Sequence, residues 1–96
     1  MQVSVWASAY SSTEAQTDSD PFTTAWGTRV RPGIIAANFL PLGTTVLMNG
    51  QVYTVEDRLN SRYNNEYMID VWMGSTGEAL QFGIRLVTFE IVSLPR

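Results

Sequence analysis

Short runs of β-branched, aromatic and small residues alternate along this chain with glycine, proline and asparagine turn signals, and this alternation constrains the fold most strongly. The clearest turn signal is Asn49-Gly50, which separates the β-rich residues 44–48 from residues 51–56. Asparagine and glycine both tolerate the positive φ that a type I′ turn requires. The pattern therefore predicts a β-hairpin at this point.

Four further stretches have strand composition and are bounded by turn-forming or polar residues. They cover residues 2–10, 34–39, 67–73 and 84–92, whereas residues 11–21 are polar and predict a loop. The chain of 96 residues is long enough for one hydrophobic core and too short for two. Many short strands with frequent breakers are typical of a closed all-β barrel, and we expect a single domain over residues 1–96.

One segment predicts a helix instead. Ser75 and Glu78 have the spacing of a capping box, in which both side chains satisfy free amides of the first helical turn. Gly83 can adopt the left-handed conformation that ends a helix. We therefore expect one short helix that starts after Ser75 and runs through Phe82.

Composition narrows the available chemistry. The chain contains no histidine, cysteine or lysine, and its formal net charge is −3. A thiolate zinc site, a cysteine nucleophile and an imidazole-based serine triad are thereby excluded, so any catalytic acid or base must be a carboxylate. Because a negative protein repels polyanions, we expect no nucleic-acid partner.

Two other kinds of site are also disfavoured. Residues 32–55 carry no charge, but prolines, glycines and asparagines interrupt them, so they do not predict a transmembrane helix. Residues 57–66 lack the spacing of a helical calcium-binding loop. We expect neither a membrane-spanning segment nor a metal or other cofactor.

Asp70 is the most informative single residue, because it interrupts the apolar run 68–72. On a strand, Asp70 shares one face with Met68 and Trp72. A partly desolvated carboxyl in such company has a raised pKa, which suits a general acid. Spacing alone leaves a second interpretation open, in which this face is exposed and Asp70 only protects a sheet edge.

Asp57 ends the strand predicted over residues 51–56, so it lies near a barrel rim and can approach Asp70 in space. Two carboxylates that share a site often divide the roles of proton donor and ionised partner. However, Glu56-Asp57-Arg58 taken alone is more typical of a surface salt-bridge cluster.

Aromatic residues offer a means of binding sugar rings, since their faces complement the apolar faces of pyranoses. In a chain this small each aromatic side chain is also a candidate for the core. Asn38, which follows an apolar strand, is equally consistent with a turn residue that makes local hydrogen bonds. The aromatic candidates are Trp6, Tyr10, Trp26 and Trp72.

Taken together, the segments of the chain resemble the three-aspartate (3D) domain family, which is related to the catalytic barrel of membrane-bound lytic transglycosylase A. The resemblance extends over nearly the whole chain and rests on the order and spacing of its parts. These are Ala9-Tyr10, residues 24–28, residues 35–44, residues 55–57, and residues 69–72 with 78–83.

The resemblance implies a six-stranded double-psi β-barrel with one short helix, acting as a peptidoglycan lytic transglycosylase. Asp57 matches the second family aspartate and Asp70 the third, which implies Asp70 as general acid and Asp57 as its catalytic partner. The first aspartate is represented by Asn38, and residues 58–69 lack the glycines and lysine usual in the family. The residues implied to bind substrate are Tyr10, Thr24, Gly27, Arg31, Asn38 and Trp72.

The implied reaction cleaves the bond between N-acetylmuramic acid and N-acetylglucosamine and forms 1,6-anhydromuramic acid. The implied partner is the peptidoglycan glycan strand, and the implied location is the bacterial cell envelope or the secreted fraction. We expect the domain to be a monomer. Three alternatives stay open: a non-catalytic glycan-binding module, a polysaccharide hydrolase, and a structural domain of an envelope protein. Asn38 in place of the first aspartate motivates the first of these.

Overall fold

Six strands close into a barrel in the computed structural model, which describes residues 1–12 and 21–95. Residues 13–20, which make up most of the loop predicted over 11–21, lie outside the described residues. A 3₁₀ turn at Ser61–Tyr63 and one helix, α1 (Thr76–Phe82), complete the regular structure of the described ranges. The strands are β1 (Gln2–Tyr10), β2 (Ile34–Ala37), β3 (Thr45–Met48), β4 (Gln51–Asp57), β5 (Met68–Trp72) and β6 (Arg85–Ser93).

The strand order around the barrel is β1-β5-β2-β4-β3-β6. The β1–β5 and β2–β4 pairs are parallel and the other four pairs are antiparallel. Exchanging β1 with β4, β2 with β5 and β3 with β6 reproduces every pairing and its direction. The expected all-β, six-stranded barrel with one short helix is confirmed, and its two symmetry-related halves interlock as in a double-psi barrel.

The barrel interior is filled by alternate residues of the strands, as a period of two requires. Val5 and Ala7 point inward from β1, and Ile69 and Val71 do so from β5. Their neighbours on each strand therefore point outward. The remaining buried members of this core are Ile35, Ala37, Leu40, Val46, Met48, Val55 and Phe89.

The predicted hairpin and helix are both present. Asn49 and Gly50 have φ values of 53° and 77° between β3 and β4, as a type I′ turn needs. Ser75 caps α1 by accepting a hydrogen bond from the Glu78 amide at 3.1 Å. Gly83 ends the helix with a φ of 66°. Local sequence signals thus determine these two elements.

An irregularity in the β2–β4 pair prepares the candidate site. Ile35 pairs with Val55, but the next residue, Ala36, pairs with Asp57, so Glu56 is the extra residue of a β-bulge. The bulge returns Asp57 to the outward-facing row that contains Ala36. Among the described residues, no helix has the length and apolar character needed to cross a membrane.

Candidate active site

Asp57 and Asp70 lie on either side of Ala36 on the outer face of the barrel. Ala36 pairs with Asp70 across β2–β5 and with Asp57 across β2–β4. Two strand spacings separate the Cα atoms of the aspartates by about 10 Å, and both side chains are half-buried. The two aspartates therefore lie on one face of the barrel, two strand spacings apart.

Asp57 is held in place by three hydrogen-bond donors. Its Oδ2 accepts from the Tyr10 hydroxyl at 2.9 Å, and its Oδ1 accepts from the backbone amides of Ala25 at 3.0 Å and Arg58 at 2.9 Å. Burial and the nearby charge of Asp57 raise the pKa of Tyr10 far above its ordinary value. Tyr10 therefore remains protonated and keeps donating to Asp57.

The Tyr10 side chain also shapes this surface. Tyr10 is on β1 and Asp57 is on β4, and β5 and β2 lie between these strands in the sheet. The Tyr10–Asp57 hydrogen bond therefore links two strands that are not neighbours in the sheet. Ala36, although outward-facing, is only 2% exposed.

Asp70 is in a different environment from Asp57. Its Oδ1 accepts a hydrogen bond from the Ser8 hydroxyl, and Ser8 is its direct neighbour on β1. Burial raises the pKa of Asp70, the Ser8 hydrogen bond opposes this, and the negative charge of Asp57 raises the pKa further. The net pKa lies above the ordinary value for an aspartate, which favours a carboxyl that can donate a proton.

The prediction of a surface salt-bridge cluster at residues 56–58 is wrong for Glu56. Glu56 is only 2% exposed, and its two oxygens accept from the Arg31 guanidinium at 3.0 and 2.6 Å. The Thr28 hydroxyl donates to the same carboxylate at 2.6 Å. The β-bulge turns Glu56 toward the 22–31 loop. We call the contact of Glu56 with Arg31 and Thr28 the clamp, and it holds that loop against β4.

Three residues predicted to bind substrate, Thr24, Gly27 and Arg31, belong to the 22–31 loop that the clamp holds. The Arg31 guanidinium is already engaged by Glu56. Thr24 is buried and accepts from the Thr28 amide at 3.1 Å, and Gly27 closes the turn with a φ of 84°. These three residues build the loop that delivers the Ala25 amide to Asp57.

Asn38 lies at the opposite end of this face from Trp72, because β2 and β5 are antiparallel. Its amide group donates to the Asn60 carbonyl and to Asn64 Oδ1, both at 3.0 Å, and its Oδ1 accepts from the Leu59 amide at 2.8 Å. Both amide protons are thus used to order the 59–64 segment. These partners lie 21 to 26 residues further along the chain, so the alternative in which Asn38 makes only local hydrogen bonds is wrong, and its contact with substrate stays a prediction.

The Arg58 side chain also serves this end of the barrel. It donates to the carbonyls of Ala37 and Leu40, both at 2.6 Å. It therefore does not form the side-chain salt bridge that its position beside Glu56 and Asp57 suggests.

Trp72 extends the outer face beyond Asp70. Its indole Nε1 donates to the Ser12 hydroxyl at 2.8 Å, which fixes the ring, and Tyr10 is its direct neighbour on β1. Trp72 also lines an open cleft of about 510 Å³. The aspartates do not line this cleft, so it adjoins the carboxylate pair and does not contain it. The other lining residues are Pro32, Met73, Gly74, Glu78 and Gln81.

The remaining two tryptophans are separate from this cleft. Trp6 is 57% exposed on the outer face of β1, two positions before Ser8. The Trp26 ring is half-exposed and lies close to Gly43. The four aromatic candidates for binding sugar rings thus do not form one continuous surface: Tyr10 and Trp72 are neighbours, and Trp6 and Trp26 lie apart from them.

Several residues of the site are not identifiable from sequence. Ser8 and Ala36 are the cross-strand neighbours of Asp70, and only the strand pairing brings them to it. Glu78 and Gln81 reach the cleft from α1, whose capping signal gives no indication of that position. The only available signal was the shared strand face of Ser8 and Tyr10.

The arrangement provides one carboxyl with a raised pKa, a second carboxylate fixed as a hydrogen-bond acceptor, and an aromatic ring beside them. Across residues 1–12 and 21–95, no group of three or more metal-ligating side chains occurs. This set of groups supports proton transfer to and from a substrate oxygen. A comparison with known protein families finds no matching family, and a comparison with curated proteins finds no matching relative.

Proposed function

We propose that this protein is a lytic transglycosylase that cleaves the bond between N-acetylmuramic acid and N-acetylglucosamine in peptidoglycan. The observation that carries the proposal is the half-buried Asp70, whose pKa is raised by burial and by Asp57 on the same face. A carboxyl with a raised pKa keeps its proton to higher pH, and such a group can protonate the oxygen of a sugar leaving group.

In the proposed reaction, Asp70 donates its proton to the glycosidic oxygen as the bond from that oxygen to the muramic acid C1 breaks. The C6 hydroxyl of the same sugar attacks C1, and the ionised Asp70 accepts the hydroxyl proton. The products are a 1,6-anhydromuramic acid end and a free N-acetylglucosamine hydroxyl. General acid-base catalysis of this kind contributes about 10²- to 10⁴-fold in rate.

Asp57 supports Asp70 in this proposal. Three donors fix its carboxylate as an acceptor, so Asp57 is not free to reorient toward a leaving group. Its negative charge opposes ionisation of Asp70 in the free enzyme and stabilises positive charge that develops at C1 in the transition state. A peptidoglycan substrate would place the protein in the bacterial cell envelope or outside the cell.

The test is digestion of purified peptidoglycan followed by mass spectrometry of the products. The wild-type protein should release 1,6-anhydromuropeptides, which are one water lighter than the products of a hydrolase. Asp70→Asn should abolish release while retaining the circular dichroism spectrum of the fold. Glu90→Gln is the matched control, because Glu90 is an exposed carboxylate on β6. Full turnover by Asp70→Asn would refute the proposal.

A non-catalytic glycan-binding module is the second candidate. The observation that favours it is Asn38, which by resemblance stands at the position of the first family aspartate and commits both amide protons to Asn60 and Asn64. This candidate expects glycan binding by the wild-type protein without any product. Products with a free reducing end, which are one water heavier than the anhydro products, would instead indicate a hydrolase.

A further inference from the structure

The open cleft beside the carboxylate pair has no role in the proton transfers described above. Its volume of about 510 Å³ falls within the range of small-ligand sites, which is roughly 300–1,000 Å³. Trp72 connects the cleft to the outer face that carries Asp70. It lines the cleft and lies two residues from Asp70 on the same strand face. A ligand that reaches Asp70 along this face therefore extends into the cleft.

The lining of the cleft favours a particular kind of ligand. Trp72 offers an aromatic surface whose indole N–H is already bound by Ser12, so the ring is fixed before any ligand arrives. Gln81 and Glu78 add an amide and a carboxylate, which bind hydroxyl and amide groups. A Cβ at Gly74 would be in ordinary contact with Glu78 Oε2, at 3.5 Å, so a larger side chain at this position would take up space beside the carboxylate.

Charge narrows the choice of ligand further. Among the described residues, those that line the cleft include one carboxylate and no basic side chain. The muramic acid unit carries on its lactyl group a peptide stem with free carboxylates, which would face Glu78 without a compensating cation, and this is unfavourable. An uncharged N-acetylated sugar has no such penalty.

We propose that the cleft is a binding subsite for an uncharged N-acetylhexosamine, the sugar on one side of the bond cleaved at Asp70. This inference rests on the proposed function and adds the orientation of the strand. The N-acetylglucosamine unit occupies the cleft at Trp72, and the muramic acid unit lies on the other side of Asp70, toward Asn38. Glu78 disfavours the anionic muramic acid unit and thereby sets this direction.

The test measures binding of tri-N-acetylchitotriose by calorimetry in an Asp70→Asn background, which prevents turnover. Trp72→Ala should weaken binding at least tenfold. Trp6→Ala is the matched control and should change the dissociation constant less than twofold, because Trp6 is exposed on the same outer face but does not line the cleft. If Trp72→Ala impairs folding, Gly74→Leu fills the cleft instead and should weaken binding to the same degree.

A second measurement tests the charge argument. The background protein should bind chitotriose about fivefold more tightly than the same trisaccharide carrying a C6 carboxylate, and Glu78→Gln should remove most of this preference. Absence of chitotriose binding would overturn the subsite. So would binding that neither Trp72→Ala nor Gly74→Leu weakens. Failure of the proposed function would be distinct, since it would show as absent anhydro products with Trp72-dependent binding intact.

Discussion

Arg31→Ala should destabilise the protein by about 2 kcal/mol, because it removes the cation that pairs with the buried Glu56. Loss of one partner from a fully buried ion pair costs roughly 3–5 kcal/mol. The effect here is smaller, since Arg31 is 54% exposed and Thr28 still donates to the carboxylate. In a domain of this size, the change corresponds to a decrease of about 8–16 °C in Tm.

The same substitution has a defined pH dependence. The Arg31 hydrogen bonds lower the pKa of Glu56, burial opposes them, and the Thr28 hydrogen bond lowers the pKa further. The folded pKa lies below the unfolded one, so the clamp stabilises fully above the unfolded pKa of about 4.3 and is lost as pH falls through the folded value. The stability difference between wild type and Arg31→Ala should therefore be largest near pH 7 and shrink in strong acid.

Urea denaturation at pH 7 and at pH 3 measures both quantities. Arg29→Ala is the matched control, because Arg29 is an exposed arginine on the same loop, 5.3 Å from the Phe22 ring centroid. Its loss should cost no more than about 1 kcal/mol at either pH. Equal effects of the two substitutions, or a difference that does not change with pH, would refute the role assigned to the clamp.

Four further outcomes are expected. Asp57→Asn should lower the pKa of Asp70 by removing a negative charge, so the decline of peptidoglycan cleavage with rising pH should move to lower pH. Asp70→Asn should raise Tm at pH 7 and leave it unchanged near pH 3, because a raised folded pKa makes ionisation of Asp70 unfavourable to folding. In urea denaturation, Gly50→Ala should cost about 1 kcal/mol for its positive φ, with free space around the new Cβ. Gly43→Ala should cost about 2–3 kcal/mol, because its Cβ would also lie 3.3 Å from the Trp26 ring.

Elements determined by neighbouring residues were predictable from sequence. The hairpin follows from Asn49-Gly50, and α1 follows from Ser75 and Gly83. The strand predicted over residues 2–10 has the observed bounds of β1, and the other strand boundaries differ from the predicted ones by at most two residues. Alternating hydrophobicity and turn chemistry act over short distances along the chain, so the sequence displays them directly.

Features that depend on pairing between distant strands were not predictable in the same way. The bulge that buries Glu56 exists only in the alignment of β4 with β2, and the sequence places Arg31 far from Glu56. The proximity of Asp57 and Asp70 was expected from strand-end reasoning, but the position of Ala36 between them required the register. The candidate catalytic aspartates were therefore easier to identify from sequence than the residues that position them.

The interlocked symmetry of the barrel also governs how the chain reaches its native state. β1 pairs with β5 and β6, and β4 pairs with β2 and β3, so the parallel pairings connect the first half of the sequence to the second. Such long-range closure slows the search for the native topology, and folding times of about milliseconds to seconds are typical of proteins with these connections. Neither half retains all of its hydrogen-bonded neighbours when separated, so the barrel assembles as one cooperative unit.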